Sequence, residues 1–458
     1  MERVGFGRNK NFNVVQYWQQ RELGFRGLSQ SRRLIDYRIG CLKLSETEII
    51  RYPDDRPSTS SAMAFDQSEY RFLVCGGRAG DIRIFDLDSP ELPDPAHPWE
   101  HTCYSANKGQ WHKGAVMKVQ FYPIDSGVFC SAGRDSKVRL YNSETLQVID
   151  ESHLPEPIRD AHWGMASSSG GIIAVALGSH AIRLVDPRLR HHIHQLRWPG
   201  VTVQSVQFGD CLKSPYVFGG SVNGHCVVWD IRNPGIVMED LIAPKSILNS
   251  KKRRAHMSEI RAIRISDSKK YVVTLSTGKD VHIWDARDLS FKHRLDLTWT
   301  RSEDRRQLME ISEEGENLYA HVGMGEDLLV CNVTPKQERR PKITRKYKNF
   351  RKEEEKEEIK EIKEENDEED DDVVKRRRVL PRTCKKPKSL ANYDDVKLHQ
   401  GHYHNIMSIA YQKQRQRIVT SGADGHTLLW IPAMDETLSD TRAQHIARLY
   451  EDDLSDDD

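Results

Sequence analysis

The chain has 458 residues, a net charge of +1 and 30% charged residues, so no whole-chain field favours nucleic acid or a membrane surface. Its eight cysteines are scattered without a Cys-x-x-Cys pair, which argues against a disulfide framework or a zinc finger and for a reducing compartment. The first residues lack an apolar signal core and no apolar run approaches the roughly 20 residues of a membrane helix, so a soluble, intracellular protein is expected.

Residues 13–28 come first, and Val14, Val15, Tyr17, Trp18 and Leu23 share one helical face between a possible N-cap at Asn13 and a stop at Gly24. Such a helix either packs on its own domain or docks a partner, and both readings stand. Residues 38–44 read as an extended strand with no neighbour of its own.

From residue 60 onwards one unit recurs. Its clearest copy is 112–142, HKGAVMKVQFYPIDSGVFCSAGRDSKVRLYN, three short strands punctuated by turn residues. The closing strand returns as DIRIFDL, KVRLYN, AIRLVDP, HCVVWDIR, DVHIWDAR, DLLVCNV and TLLWIP, each after a cluster of small residues. Most intervals are about 44 to 56 residues, which suits one four-stranded propeller blade. The last interval is near double that and implies an insertion. The pattern resembles the WD-repeat family and predicts an all-β, seven-bladed propeller with a short N-terminal helical segment and a disordered charged insertion. The expected organisation is a helical segment over 1–37, a closing strand and blades one to six over 38–335, the insertion over 336–392, blade seven over 393–433 and an acidic tail over 434–458. Residues 38–44 are then the strand that completes the last blade and removes an exposed edge.

The loops carry charged and ligating residues. His191, His192 and His194 follow blade three, but with no acidic partner they read as a solvated segment and no metal site is expected. Lys251, Lys252, Arg253 and Arg254 form a basic loop that is read as solvated. In the insertion, Glu–Lys pairs at helical spacing give way to an acidic block. Two basic clusters follow: Lys375, Arg376, Arg377 and Arg378, then Lys385, Lys386 and Lys388. They read as a bipartite nuclear import signal in preference to a nucleic-acid patch or counter-charge, so a nuclear location is expected.

Two polar sets imitate an active centre: His112, Ser131 and Asp135, and His402, Ser421 and Asp424 with Trp430 beyond. Neither serine lies in a G-x-S-x-G elbow. The set recurs at one place in the repeat, so it reads as a structural hydrogen-bond network and no catalytic residue is expected. Blade five keeps His256, Ser276 and Trp284 but has Gly278 at the acidic position, so an incomplete network is expected there.

Trp-Asp-x-Arg boxes stand at 229–232 and 284–287. The run VQFYPIDSGVFCSAGRDSKVRLYNSETLQ at 119–147, the last repeat at 401–432 and SRRLIDYRIGCLKL at 31–44 resemble the Cockayne syndrome A family. That resemblance implies a non-catalytic substrate-recognition subunit of a cullin-4 RING ubiquitin ligase, without cofactor. It would act in transcription-coupled nucleotide excision repair at stalled RNA polymerase II. It implies the large damaged-DNA-binding adaptor subunit, the Cockayne syndrome B translocase and the UV-stimulated scaffold protein as partners. It also implies adaptor contacts through Tyr17, Trp18, Leu23, Arg232 and Arg287, with the choice between the two arginines open. No sequence-specific contact with nucleic acid is expected. A non-ligase scaffold of a chromatin or RNA-processing complex is the alternative.

Overall fold

A computed structural model describes residues 38–39, 42–45, 48–50, 59–90, 99–165, 171–188, 191–198, 201–209, 216–233, 237–244, 253–297, 307–314, 317–334 and 396–432. The N-terminal helical segment, the insertion with its basic clusters and the acidic tail lie outside these residues.

The described strands make seven sheets, antiparallel throughout except that Glu48–Ile49 pairs parallel with Trp99–Ser105. In blade two the order is Val116–Phe121, Val128–Gly133, Lys137–Asn142 and Val148–His153, each paired with the next. The innermost strands meet their neighbours around the ring, and Ile406–Gln412 of blade seven returns to Ser60–Phe65 of blade one. The chain is an all-β propeller of seven blades.

Closure comes from the N-terminal side, as the lone strand predicts. Leu42–Leu44 pairs antiparallel with Thr427–Pro432, with Leu42 opposite Pro432 and Leu44 opposite Trp430. Leu42 is buried with Ile39, Tyr319, Leu328 and Trp430, so apolar burial as well as ladder bonding fixes the seam. The insertion interrupts blade six. Val396–Gln400 pairs with Asp327–Asn332 as the outer strand of that sheet, so the last sequence repeat starts one strand before the last sheet.

Each sheet packs between two neighbours and buries both faces, which is why second strands such as Gly171–Leu177 are apolar almost throughout. Every residue of Ile406–Gln412 is buried. The core is accordingly distributed between blades. Phe121, Phe129 and Tyr141 of blade two pack with Val74 and Ile84 of blade one. Met63 and Leu73 of blade one pack with Val419 and Ile431 of blade seven, so the seam has a core like any other interface.

Candidate functional site

The polar network sits where the turn between second and third strands meets the loop entering the blade. In blade two the Asp135 carboxylate accepts from His112 Nδ1 at 2.8 Å and from the Lys113 backbone N–H at 3.0 Å. His112 Nε2 then accepts the Ser131 hydroxyl at 2.6 Å. Burial pushes the Asp135 carboxyl up, but the His112 and Lys113 hydrogen bonds outweigh it and hold it at about 2. The connectivity is that of a hydrolase triad. The Ser131 side chain, however, is wholly buried, with no face toward solvent. The Tyr141 hydroxyl donates to the Gln110 carbonyl at 2.6 Å.

Blade seven repeats the arrangement with one correction. His402 Nδ1 meets Asp424 at 3.0 Å, but His402 Nε2 meets Thr420 Oγ1 at 2.8 Å, not Ser421. Trp430 Nε1 donates to the same Thr420 oxygen at 2.8 Å. Ser421 Oγ instead accepts from the Ser60 backbone N–H at 3.2 Å, across the seam. Side chains alternate along a strand, so adjacent Thr420 and Ser421 point to opposite faces.

The network of blade five is complete, contrary to expectation. His256 Nε2 meets Thr274 Oγ1 at 2.7 Å and Trp284 Nε1 donates to that oxygen at 3.0 Å. Asp280, two residues after Gly278, supplies the carboxylate at 3.1 Å from His256 Nδ1. Ser276 serves Asp280 rather than His256. Blade four lacks the set: Gly219 stands at the hydroxyl position and the buried Trp229 Nε1 has no hydrogen-bond partner among the described residues.

These struts also seat one blade on the next. His112 N–H donates to the Gly80 carbonyl at 3.0 Å, and His256 N–H to Gly224 at 2.9 Å. Gly80 has φ +94° and Gly224 φ +81°, and a Cβ on either would clash with the facing histidine carbonyl. The residue after each histidine faces outward. Met257 is 51% exposed and Tyr403 81%.

The opposite face carries the arginines. Arg232 wraps onto its own Asp230, with backbone N–H and Nε at 2.9 and 3.1 Å from Oδ1 and Nη2 at 2.6 Å from Oδ2. Arg188 makes the same fork on Asp186 in blade three, at 2.9, 3.1 and 2.8 Å. Sequence reading missed it, since Val-Asp-Pro-Arg hides the box; the Asp-x-Arg spacing alone was the signal. In blade five the Arg287 backbone N–H meets Asp285 at 2.9 Å, while Lys292 takes the carboxylate at 3.3 Å. The Arg188 and Arg232 side chains are 57% and 62% exposed. Each fork orients a planar cation on neighbouring blades.

His194 is exposed, and the side chains of His191 and His192 lie outside the described residues. Arg254 donates to the Asn223 carbonyl at 2.9 Å. Tyr17, Trp18, Leu23 and the basic clusters of the insertion lie outside the described residues. An axial cavity of about 200 Å³ is lined by Lys118, His162, Gln207, Arg264 and Glu310 among others. Arg264 pairs with Glu310 at 3.1 Å and Lys413 with Asp267 at 2.6 Å, while Gln207 Nε2 meets His162 Nε2 at 2.8 Å. Burial pushes Lys118 down and His162 well down, which keeps the imidazole neutral.

The WD domain, G-beta repeat, matches residues 394–430, which span the last outer strand and the blade-seven network. The chain carries a WD repeat in a seven-bladed propeller. It is 26% identical over 223 residues to the WD repeat-containing protein ATCSA-1 of Arabidopsis thaliana, covering 47% of this chain and 49% of that protein. It is 33% identical over 111 residues to the DNA damage-binding protein CMR1 of Vanderwaltozyma polyspora, covering 24% of this chain and 19% of that protein. The WD-repeat chain thus spans about half the length, or less, of these curated relatives.

Proposed function

We propose that this propeller is a non-catalytic, nuclear substrate receptor of a cullin-4 RING ubiquitin ligase in transcription-coupled repair. The likeness to ATCSA-1 over 223 residues carries the reading, and the name of the second relative supports a DNA-damage setting. The geometry agrees with docking rather than chemistry. The triad-like set stands in three blades with its hydroxyls buried, as ring struts would. One face offers oriented guanidiniums for the large damaged-DNA-binding adaptor subunit, and the opposite face offers outward side chains to a target. The Cockayne syndrome B translocase, the UV-stimulated scaffold protein and RNA polymerase II belong to that assembly. Catalysis is by proximity: a tethered ubiquitin-conjugating enzyme gains effective concentration at the target's lysines.

The test is direct binding of the purified chain to the adaptor. Arg188→Ala with Arg232→Ala is expected to weaken it at least about tenfold, or about 1.4 kcal/mol. Adding Trp18→Ala is expected to weaken it further. Unchanged affinity in variants with wild-type melting would reject the arginine face as the adaptor contact.

A further inference from the structure

The network of blade five contains a residue that its counterparts lack. His282 stands two positions before Trp284, where blade two has Arg139 before Tyr141 and blade seven has Leu428 before Trp430. The His282 ring stacks on His256 with centroids 4.0 Å apart and planes 16° apart. Both imidazoles and Asp280 are buried. We propose that His256, Asp280 and His282 bind a divalent transition-metal cation of the zinc class.

The donor atoms converge. His256 Nδ1 lies 3.1 Å and His282 Nε2 lies 3.2 Å from Asp280 Oδ2. All three ligand atoms lie within 4.8 Å of one another. A tetrahedral zinc with ligands at about 2.0–2.1 Å separates its ligand atoms by about 3.3 Å, so the two measured edges suit that geometry. The far side of each ligand is held as metal ligands require. His282 Nδ1 donates to the Ala255 carbonyl at 2.9 Å, which leaves the lone pair on Nε2. His256 Nε2 is held by Thr274 at 2.7 Å, and the second Asp280 oxygen accepts the Ser276 hydroxyl.

His282 Nε2 is the atom that asks for a cation. It is buried and makes no well-aligned hydrogen bond, although the Asp280 carboxylate oxygen is 3.2 Å away. One cation between the three atoms would satisfy them all. Full burial gives the site a structural role. It ties the loop that carries exposed Met257 to the third strand of the blade.

The experiment uses the full-length protein, with zinc measured by mass spectrometry and cobalt titrated into chelator-stripped material. About one zinc per chain and visible d–d bands of cobalt bound by two imidazoles and a carboxylate are expected. His282→Gln is expected to weaken zinc binding about 100-fold, and the exposed His194→Gln to leave it unchanged. Zinc no higher than in the buffer control, together with no cobalt bands in the folded wild type, would overturn the site. So would full zinc content in a folded His282→Gln protein. Should His282→Gln fail to fold, the wild-type zinc content and cobalt spectrum decide alone.

Discussion

Thr420→Val is expected to destabilise the propeller by about 3 kcal/mol, while Ser421→Ala next to it costs about 1 kcal/mol. The Thr420 oxygen binds two buried partners, His402 Nε2 and Trp430 Nε1, each at 2.8 Å. Valine keeps the shape and removes both bonds, and each orphaned group costs about 1–3 kcal/mol. His402 and Trp430 are both buried, so water does not replace the lost partner. Ser421 loses only one acceptor contact, at 3.2 Å from the Ser60 N–H. Urea midpoints of the two variants measured side by side check this. Equal shifts, or a larger one for Ser421→Ala, would reject the assignment of Thr420 as the strut.

Acidification from pH 7 to pH 5 is expected to remove about 2 kcal/mol of stability through His321 alone. This histidine lies inside blade six with no exposed surface, its Nε2 on Ser312 Oγ at 2.8 Å and its ring stacked on Tyr411 at 4.9 Å. Burial, with a smaller push from His399, lowers it from the ordinary 6.5 to about 3. Protonation therefore favours the unfolded chain. The stabilising contribution is full above pH 6.5 and is lost as pH falls toward 3. Burial lowers His402 as well, which adds to the slope in the same direction. Asp135, held at about 2, begins to contribute only below its ordinary 3.8. His321→Gln should flatten the stability profile between pH 7 and 5 by about 2 kcal/mol. An unchanged slope in that variant would refute the assignment.

The ring and its closure were legible because the repeat supplies seven copies of one strand signature, and the strand expected over 38–44, found at Leu42–Leu44, had no other partner. The networks were legible in kind but not in register. Thr420 and Ser421 are adjacent hydroxyls, and only the four-residue spacing from Ser131 to Asp135 shows which one faces the histidine. Blade five was misread because its carboxylate comes from Asp280, the first residue of a strand, instead of the preceding turn at Gly278. Arg188 was hidden because Val185 replaces the tryptophan that flags the box. His321 gives no signal at all: a single histidine in an apolar strand shows neither its burial nor its ring partner. What docks on the faces is written in side chains from several blades, and linear spacing does not bring those together.

The most direct test of the functional account is affinity purification of the full-length chain from nuclear extract after UV irradiation, with the bound proteins identified by mass spectrometry. The account predicts the large damaged-DNA-binding adaptor and cullin-4 in near-equal amounts, with RNA polymerase II and the Cockayne syndrome B translocase enriched by irradiation. Recovery of a chromatin or RNA-processing complex without the adaptor, before and after irradiation, would contradict it.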